Sequence, residues 1–348
     1  MAACASTTGG RFPRSRSPPG RWWRWGHVFD GANGQASGGT RRVDGQAHGP
    51  SSRAPNGVLD LKTYSSPYKP TWCPGCGDFG ILSAIKAALV ELEIWPHEVL
   101  IVSGIGCGSK LPQYLYANGF MTIHGRPLAV ATGAKLANPH LHVMVVNGDG
   151  DSYGIGGNHF LHTCRRNPDI THIVENNQIY ALTKGQYSPT SDVGFRTTTS
   201  PEGVFEMPVN PVAVALAAGA GFVARSFAGE PKHLKQMIMA AMQHPGYALV
   251  DVLQPCVAFN KVNTYNWYAE RIYDVANDDS YDPTSLRDAW ERGTEWGERI
   301  PIGILYRREG VPPYENYVPA LKDGPPVERD LSARLDPELL ERLKRAYV

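Results

Sequence analysis

The chain has 348 residues, 42% hydrophobic and 19% charged, with a formal net charge of +1, the make-up of a globular protein with one large domain or two ordinary ones. So small a charge gives no ground for nucleic-acid binding, and the longest run of apolar residues and glycine, residues 212–224, is too short for a bilayer span of about 20 residues. Six cysteines at uneven spacing, with one Cys-x-x-Cys, do not make a secreted disulfide framework and point to ligation or redox work in a reducing, cytoplasmic setting.

Residues 1–56 hold eight Arg, no Lys and only Asp30 and Asp44, a net of +6 that leaves −5 for the rest. Rich in Gly, Ser and Pro and without helical or strand period, they read as a disordered leader or an over-long start. An Arg- and Ser-rich, acid-poor beginning also has the texture of a transit peptide. From about Val58, β and α signals alternate. Asp78 is placed to cap a helix running through Ile81, Ile85 and Leu89, and residues 99–103 form a short apolar strand. A helix follows at 128–136, with Pro127 in its first turn, then a strand at 141–146, a helix at 159–166 and a strand at 170–174. Asn210-Pro211 opens another helix, followed by a strand at 222–224, a helix at 231–243 and a strand at 248–253. Past about residue 260 the pattern loosens, with helices expected at 285–299 and 336–347. The fold class is therefore α/β, a parallel sheet with helices on both faces and ligands at the carboxyl ends of its strands. Residues 57–275 form the cofactor domain, and 276–348 a partly helical extension.

Two constellations carry chemistry. Gly148-Asp149-Gly150 is followed after 25 residues by Asn176-Asn177, and each half comes directly after a strand. Alone, Gly-Asp-Gly is often a plain turn. With Asn-Asn at this spacing it becomes a thiamine diphosphate pattern, in which Asp149 supplies a carboxylate and Asn177 an amide oxygen to magnesium. The second constellation is Cys73-Pro-Gly-Cys76, Cys107 and Cys256. Four thiolates suit a [4Fe–4S] cluster or a structural zinc, and spacing alone barely separates them. Cys4 lies in the leader, and Cys164 falls in an apolar helix as a small buried hydrophobe. Taken singly, His124 would be a structural histidine and Lys110 a surface charge.

From about Leu59 to Val275 the chain resembles the beta subunit of 2-oxoacid:ferredoxin oxidoreductases of the two-subunit, 2-oxoglutarate or broad-specificity type. The stretches that carry the resemblance are Trp72-Cys-Pro-Gly-Cys-Gly77, Gly106-Cys-Gly-Ser-Lys110, His124-Gly-Arg126, Gly148-Asp-Gly-Asp151, Gly156-Gly-Asn-His159, Asn176-Asn-Gln-Ile-Tyr180, Thr183-Lys-Gly-Gln186, Ser188-Pro-Thr190, and Gln254-Pro-Cys256 followed by Phe259-Asn-Lys-Val262. The tail beyond about residue 300 adds nothing to it. The resemblance implies that Cys73, Cys76, Cys107 and Cys256 hold a [4Fe–4S] cluster rather than zinc. It implies that Asp149, Asn177 and the carbonyl of Ile179 bind magnesium. Thiamine diphosphate would touch Ile105, Gly106, Cys107, Gly108, His124, Gly150, Asp151, Ala181 and Leu182, and Lys110 would lie near the substrate carboxylate. Ala181 departs from the family pattern where Gly is expected. Glu175, before Asn176, departs where an apolar residue is usual, and an ionised Glu there is unfavourable unless it points away or pairs.

The implied chemistry is decarboxylation of a 2-oxoacid on thiamine diphosphate, with electrons removed singly by the cluster and passed to ferredoxin, and the acyl group passed to coenzyme A. Only the diphosphate-type pattern is present. The pyrimidine-activating Glu is therefore expected from an alpha subunit.

Overall fold

A computed structural model describes residues 57–330 and 336–346; the leader expected over 1–56, with Cys4, lies outside them. Ten strands are β1 (Val99–Ser103), β2 (Asn118–Met121), β3 (His142–Gly148), β4 (Ile170–Asn176), β5 (Ile179–Tyr180), β6 (Gln186–Tyr187), β7 (Phe222–Phe227), β8 (Ala248–Leu253), β9 (Ile272–Asp274) and β10 (Ile300–Arg307). Among the described residues the eight α-helices are α1 (Asp78–Glu91), α2 (Pro127–Ala137), α3 (Gly157–Arg166), α4 (Pro211–Ala217), α5 (Pro231–Gln243), α6 (Tyr265–Ala269), α7 (Leu286–Gly293) and α8 (Pro337–Ala346). Among the described residues no helix is long and apolar enough to cross a membrane.

Eight strands form one sheet in the order β2-β1-β3-β4-β8-β7-β10-β9, and β5 and β6 make a separate hairpin. Every pairing in the large sheet is parallel except β7 with β10, which is antiparallel and carries a register shift between Ile304 and Tyr306. The expected parallel sheet with helices on both faces is present, with one antiparallel pairing added at that strand. The alternating Ile-Pro-Ile-Gly-Ile-Leu pattern of β10 is broken up by Pro301 and Gly303, both poor strand formers. The helix expected at 285–299 correspondingly stops at Gly293. The sheet also runs across residue 275, since β9 before it pairs with β10 after it.

The strands read as unbroken apolar runs because both faces are covered. Ile101, Met144, Val146, Ile173, Val250 and Val252 meet Ile81, Ile85 and Leu89 of α1 and Leu234 and Ile238 of α5. Their neighbours Val102, Val143, Val145, Val174, Val223 and Leu249 face the other way, onto Leu128 of α2, Phe160 and Cys164 of α3, Leu216 of α4 and Ala289 of α7. That period of two is the pleat itself. Cys164 is fully buried, as its apolar setting suggests. Side chains set the helix starts: Asn210 accepts from Ala213 N (3.0 Å) and Ser285 from Asp288 N (3.2 Å).

One buried polar knot lies under the site edge. Asn147 donates through Nδ2 to Asp151, so its Oδ1 is the acceptor for Ser152 Oγ (2.7 Å) and His172 Nε2 (2.9 Å). His172 is therefore the Nε2–H tautomer, and its Nδ1 accepts from Tyr247 Oη at 2.7 Å. Burial pushes His172 down to about 3. The unfolded chain then binds a proton near pH 6.5 that the folded chain refuses, so stability is lost as pH falls from about 6.5 toward 3. In urea titrations at pH 7 and pH 5, wild type should lose about 2 kcal/mol more than His172→Gln, from 1.4 kcal/mol per pH unit. Equal losses would remove His172 as the source.

Candidate cofactor and cluster site

The carboxyl ends of β1, β3, β4 and β8 deliver residues 104–108, 149–151, 176–177 and 254–256 to one edge of the sheet. A first pocket there is lined by every residue expected to touch the diphosphate cofactor or its magnesium, together with Glu175, Tyr180 and Thr183. A second cavity, of about 240 Å³, is lined by Cys73, Cys76, Cys107 and Cys256 together with Lys110. Cys107, Asn177, Ala181 and Leu182 line both. The two constellations thus share a wall. His124 stands on the cofactor side and Lys110 on the cysteine side, where its Nζ reaches Thr71 Oγ1 at 3.4 Å.

Asp149 is buried at the start of a π-helical turn, 150–155. Its Oδ2 accepts from Ser188 Oγ (2.5 Å) and Thr190 Oγ1 (2.6 Å). Burial pushes its carboxyl up to about 6, against the pull of those two hydroxyls. Thr190 also contacts Asn176 Oδ1 (3.0 Å), Asn176 donates to Asp251 (3.1 Å), and Tyr153 Oη donates to the same Asp251 oxygen (3.0 Å). Gln178 takes φ +59°, and its amide donates to Thr190 O at 2.6 Å. That anchors the turn presenting Asn177 and Ile179. Hard oxygen donors converging from two strand ends fit a divalent cation and a diphosphate.

Asp151, expected as a cofactor contact, lines the pocket, but its carboxylate is already engaged. Oδ1 accepts from Ile105 N (3.0 Å) and Gly125 N (2.8 Å) and meets His124 Nδ1 in a short contact, while Oδ2 accepts from Asn147 (2.6 Å). It clamps the 105 and 124 loops together. His124 is left with Nε2 for a ligand.

Asp78 is not a cap. The helix N-cap is Gly77, Asp78 is the first helical residue, and its buried carboxyl makes no capping bond. It faces Glu175, and among the described residues the two buried carboxyls have only each other and the Cys76 thiol as hydrogen-bond partners. Burial and the neighbouring negative charge of Asp78 hold Glu175 well above the usual carboxylate range, and burial pushes Asp78 up to about 6. Glu175 therefore neither points away nor meets a cation; it is kept neutral against Asp78. This explains Gly108, where a Cβ would lie 1.4 Å from Glu175 Oε2. Gly108→Ala should destabilise by about 1–3 kcal/mol, and Glu175→Ala in the same chain should return most of it. A double-mutant cycle on denaturant midpoints reads this coupling, and additive losses would contradict it.

The thiols are set by turns and aromatic packing. Cys76 N donates to Cys73 O (3.0 Å), Trp72 Nε1 to Cys107 O (2.7 Å), and Gln254 Nε2 to Cys76 Sγ (3.2 Å). Burial pushes Cys107 up to about 11, aided by the negative charge of Asp78, and Cys76 higher still. Such thiols become thiolates only beside a strong positive charge. Among the described residues no three His, Cys, Asp or Glu are gathered tightly enough for a single metal ion. A zinc site needs its sulfurs about 4 Å apart, at Zn–S near 2.3 Å. Four soft donors around one cavity suit a thiolate-bound metal centre, a zinc ion or an iron–sulfur cluster.

Sequence reasoning missed the hydroxyls of Ser188 and Thr190 as partners of Asp149, and the approach of Asp78 to Glu175. Ser-Pro-Thr was available as a motif, without a role.

A family model described as the thiamine pyrophosphate enzyme, C-terminal TPP binding domain, matches residues 104–252, and one for the C-terminal part of the pyruvate ferredoxin oxidoreductase beta chain matches 256–323. The second match reaches into the tail expected to add nothing, which corrects that expectation. The 2-oxoacid:ferredoxin oxidoreductase subunit beta of Saccharolobus solfataricus is 46% identical over 271 residues, 74% of this chain and 89% of that one. The 2-oxoglutarate oxidoreductase subunit KorB of Mycobacterium tuberculosis is 49% identical over 199 residues, 57% of this chain and 53% of that one. Among solved structures, 2-oxoglutarate:ferredoxin oxidoreductase from Magnetococcus marinus, with 2-oxoglutarate, coenzyme A and succinyl-CoA bound, superposes with TM-score 0.75 at 37% identity, covering 82% of this chain and 96% of that one. With the thiamine diphosphate fold, the paired pockets and these relatives together, the chain belongs to the 2-oxoacid:ferredoxin oxidoreductase beta subunits, oxidoreductase chains that work in a two-subunit complex.

Proposed function

We propose that this chain, with an alpha subunit, converts a 2-oxoacid and coenzyme A to acyl-CoA and carbon dioxide, or runs the reverse, with electrons leaving through a [4Fe–4S] cluster to ferredoxin. The observation that carries the reading is the shared wall: Cys107 lines both the diphosphate pocket and the cysteine cavity. 2-Oxoglutarate is the proposed substrate, supported by the names of the KorB relatives and the ligands of the Magnetococcus structure.

When bound, thiamine diphosphate supplies an electron sink at the 2-oxo carbon, and the cluster a one-electron acceptor beside it. The chain's own residues prepare for this. Asp149, Asn177 and the Ile179 carbonyl would hold magnesium, with Ser188 and Thr190 fixing the Asp149 carboxylate. Asp151 sets the pocket loops and orients His124. Cys73, Cys76, Cys107 and Cys256 would hold the cluster, and Lys110, beside them, would attract the substrate carboxylate. All five described cysteines are free, in keeping with a reducing compartment and the cytoplasm.

The test is anaerobic co-purification with the alpha subunit, followed by iron, sulfide and zinc analysis and a 2-oxoacid panel with viologen as acceptor. Four irons and four sulfides, and coenzyme A-dependent turnover only in the pair, are expected. One zinc and no iron would sink the redox reading, and turnover by the chain alone would sink the two-chain reading.

A further inference from the structure

The cysteine cavity opens to the surface at Cys73, which is exposed. Lys184 lines the cavity, as does the substrate-side Lys110, and Lys261 sits at its edge, its Nζ donating to the carbonyl of the lining residue Val257. Lys69 is exposed two residues before the lining residue Thr71. Among the described residues no carboxylate forms an ion pair with Lys69, Lys184 or Lys261. No Asp or Glu lines the cavity. Of the lining residues Leu182 and Phe259 are exposed apolar side chains, as is Val262 next to Lys261 in the chain. This small apolar centre with a basic rim stands on a chain that carries −5 beyond residue 56.

A face of that kind suits a transient partner. Electron-transfer encounters bury little area, so specificity and on-rate come from complementary charge. Lysines without a carboxylate partner lose no ion pair on docking. We propose that this rim is the docking face for the acidic surface of a small iron–sulfur electron carrier, a ferredoxin, at the point where Cys73 brings the cluster's protein shell to the surface. The proposal rests on the cluster reading above. Charge complementarity decides the occupant: an obligate subunit interface would be larger and more apolar than these three side chains provide.

The experiment uses the alpha–beta holoenzyme carrying Lys69→Glu with Lys261→Glu, and the milder pair Lys69→Gln with Lys261→Gln. Readouts are KM for reduction of an acidic ferredoxin at two ionic strengths, direct ferredoxin binding by calorimetry, 2-oxoacid-dependent reduction of methyl viologen, and the cluster's electron paramagnetic resonance signal. Charge reversal should raise the ferredoxin KM roughly tenfold or more at low salt and flatten its salt dependence. The Gln pair should fall between, with viologen reduction and the cluster signal unchanged. Unchanged ferredoxin KM and binding would overturn the proposal. So would loss of co-purification with the alpha subunit, which would assign the face to that chain. A wild-type holoenzyme that reduces neither viologen nor ferredoxin with any 2-oxoacid would instead overturn the functional reading beneath it.

Discussion

Cys107→Ser is expected to abolish 2-oxoacid-dependent ferredoxin reduction, by roughly 10³-fold or more, equivalent to about 4 kcal/mol in the barrier. The substitution keeps side-chain size and leaves the backbone anchor from Trp72 to the Cys107 carbonyl in place. What it removes is the one thiol in the wall between the two pockets. Iron content and visible absorbance of the holoenzyme should fall with activity, while thiamine diphosphate binding persists through Asp149 and Asn177. Cys164→Ser is the control, since that thiol is buried between α3 and the sheet, and it should leave iron content intact. A Cys107→Ser enzyme with full iron and wild-type ferredoxin reduction would refute the shared-wall mechanism.

Asp149→Asn should have an effect of similar size on the other half of the site. The amide preserves shape but removes the buried charge that a divalent cation needs. Magnesium-dependent thiamine diphosphate binding, followed by tryptophan fluorescence, should weaken by at least about 100-fold. Thr190→Val, which removes one hydroxyl donor to Asp149, should cost about 10–100-fold, the range for partners of metal ligands. The pH dependence has a definite sign. With the Asp149 carboxyl at about 6 in the cofactor-free chain, a cation must displace a proton below that pH. Cofactor affinity should therefore fall as pH drops through about 6 and level off above it. Affinity that rises on acidification would exclude Asp149 as the ligand.

The site was legible because it is built at strand ends. Gly-Asp-Gly and Asn-Asn each follow an apolar run that could only be a buried strand, so local pattern and sheet topology together put Asp149 near Asn177. The cysteines were legible as soft donors, and Cys107, in the turn expected to touch the cofactor, already set them beside the diphosphate pocket; how Cys73 and Cys76 arrive there was not legible. Their meeting depends on α1 packing over the sheet, which lays the 73–77 turn beside residues 254–256, with Gly77 N donating to Pro255 O at 3.4 Å. Asp78 misleads for the same reason. Its position one residue after Gly77 looks like a cap from sequence, and only the approach of β4 shows that its partner is Glu175. The hydroxyls of Ser188 and Thr190 come from the far side of the β5–β6 hairpin, some 40 positions from Asp149, and no local period connects them. β10 escaped notice because proline and glycine interrupt it.

That last strand has a consequence for how the protein is made. β7 ends at Phe227 and its second neighbour, β10, is complete only at Arg307, so 80 further residues must be synthesised before both sides of β7 are paired. At about 5–20 residues per second that is a delay of roughly 4–16 s, during which an apolar strand has an open edge of the kind that joins other chains. Arg225 sits in the middle of that edge, buried and paired with Asp251 at 3.4 Å. A charge pointing inward from an edge strand discourages wrong partners.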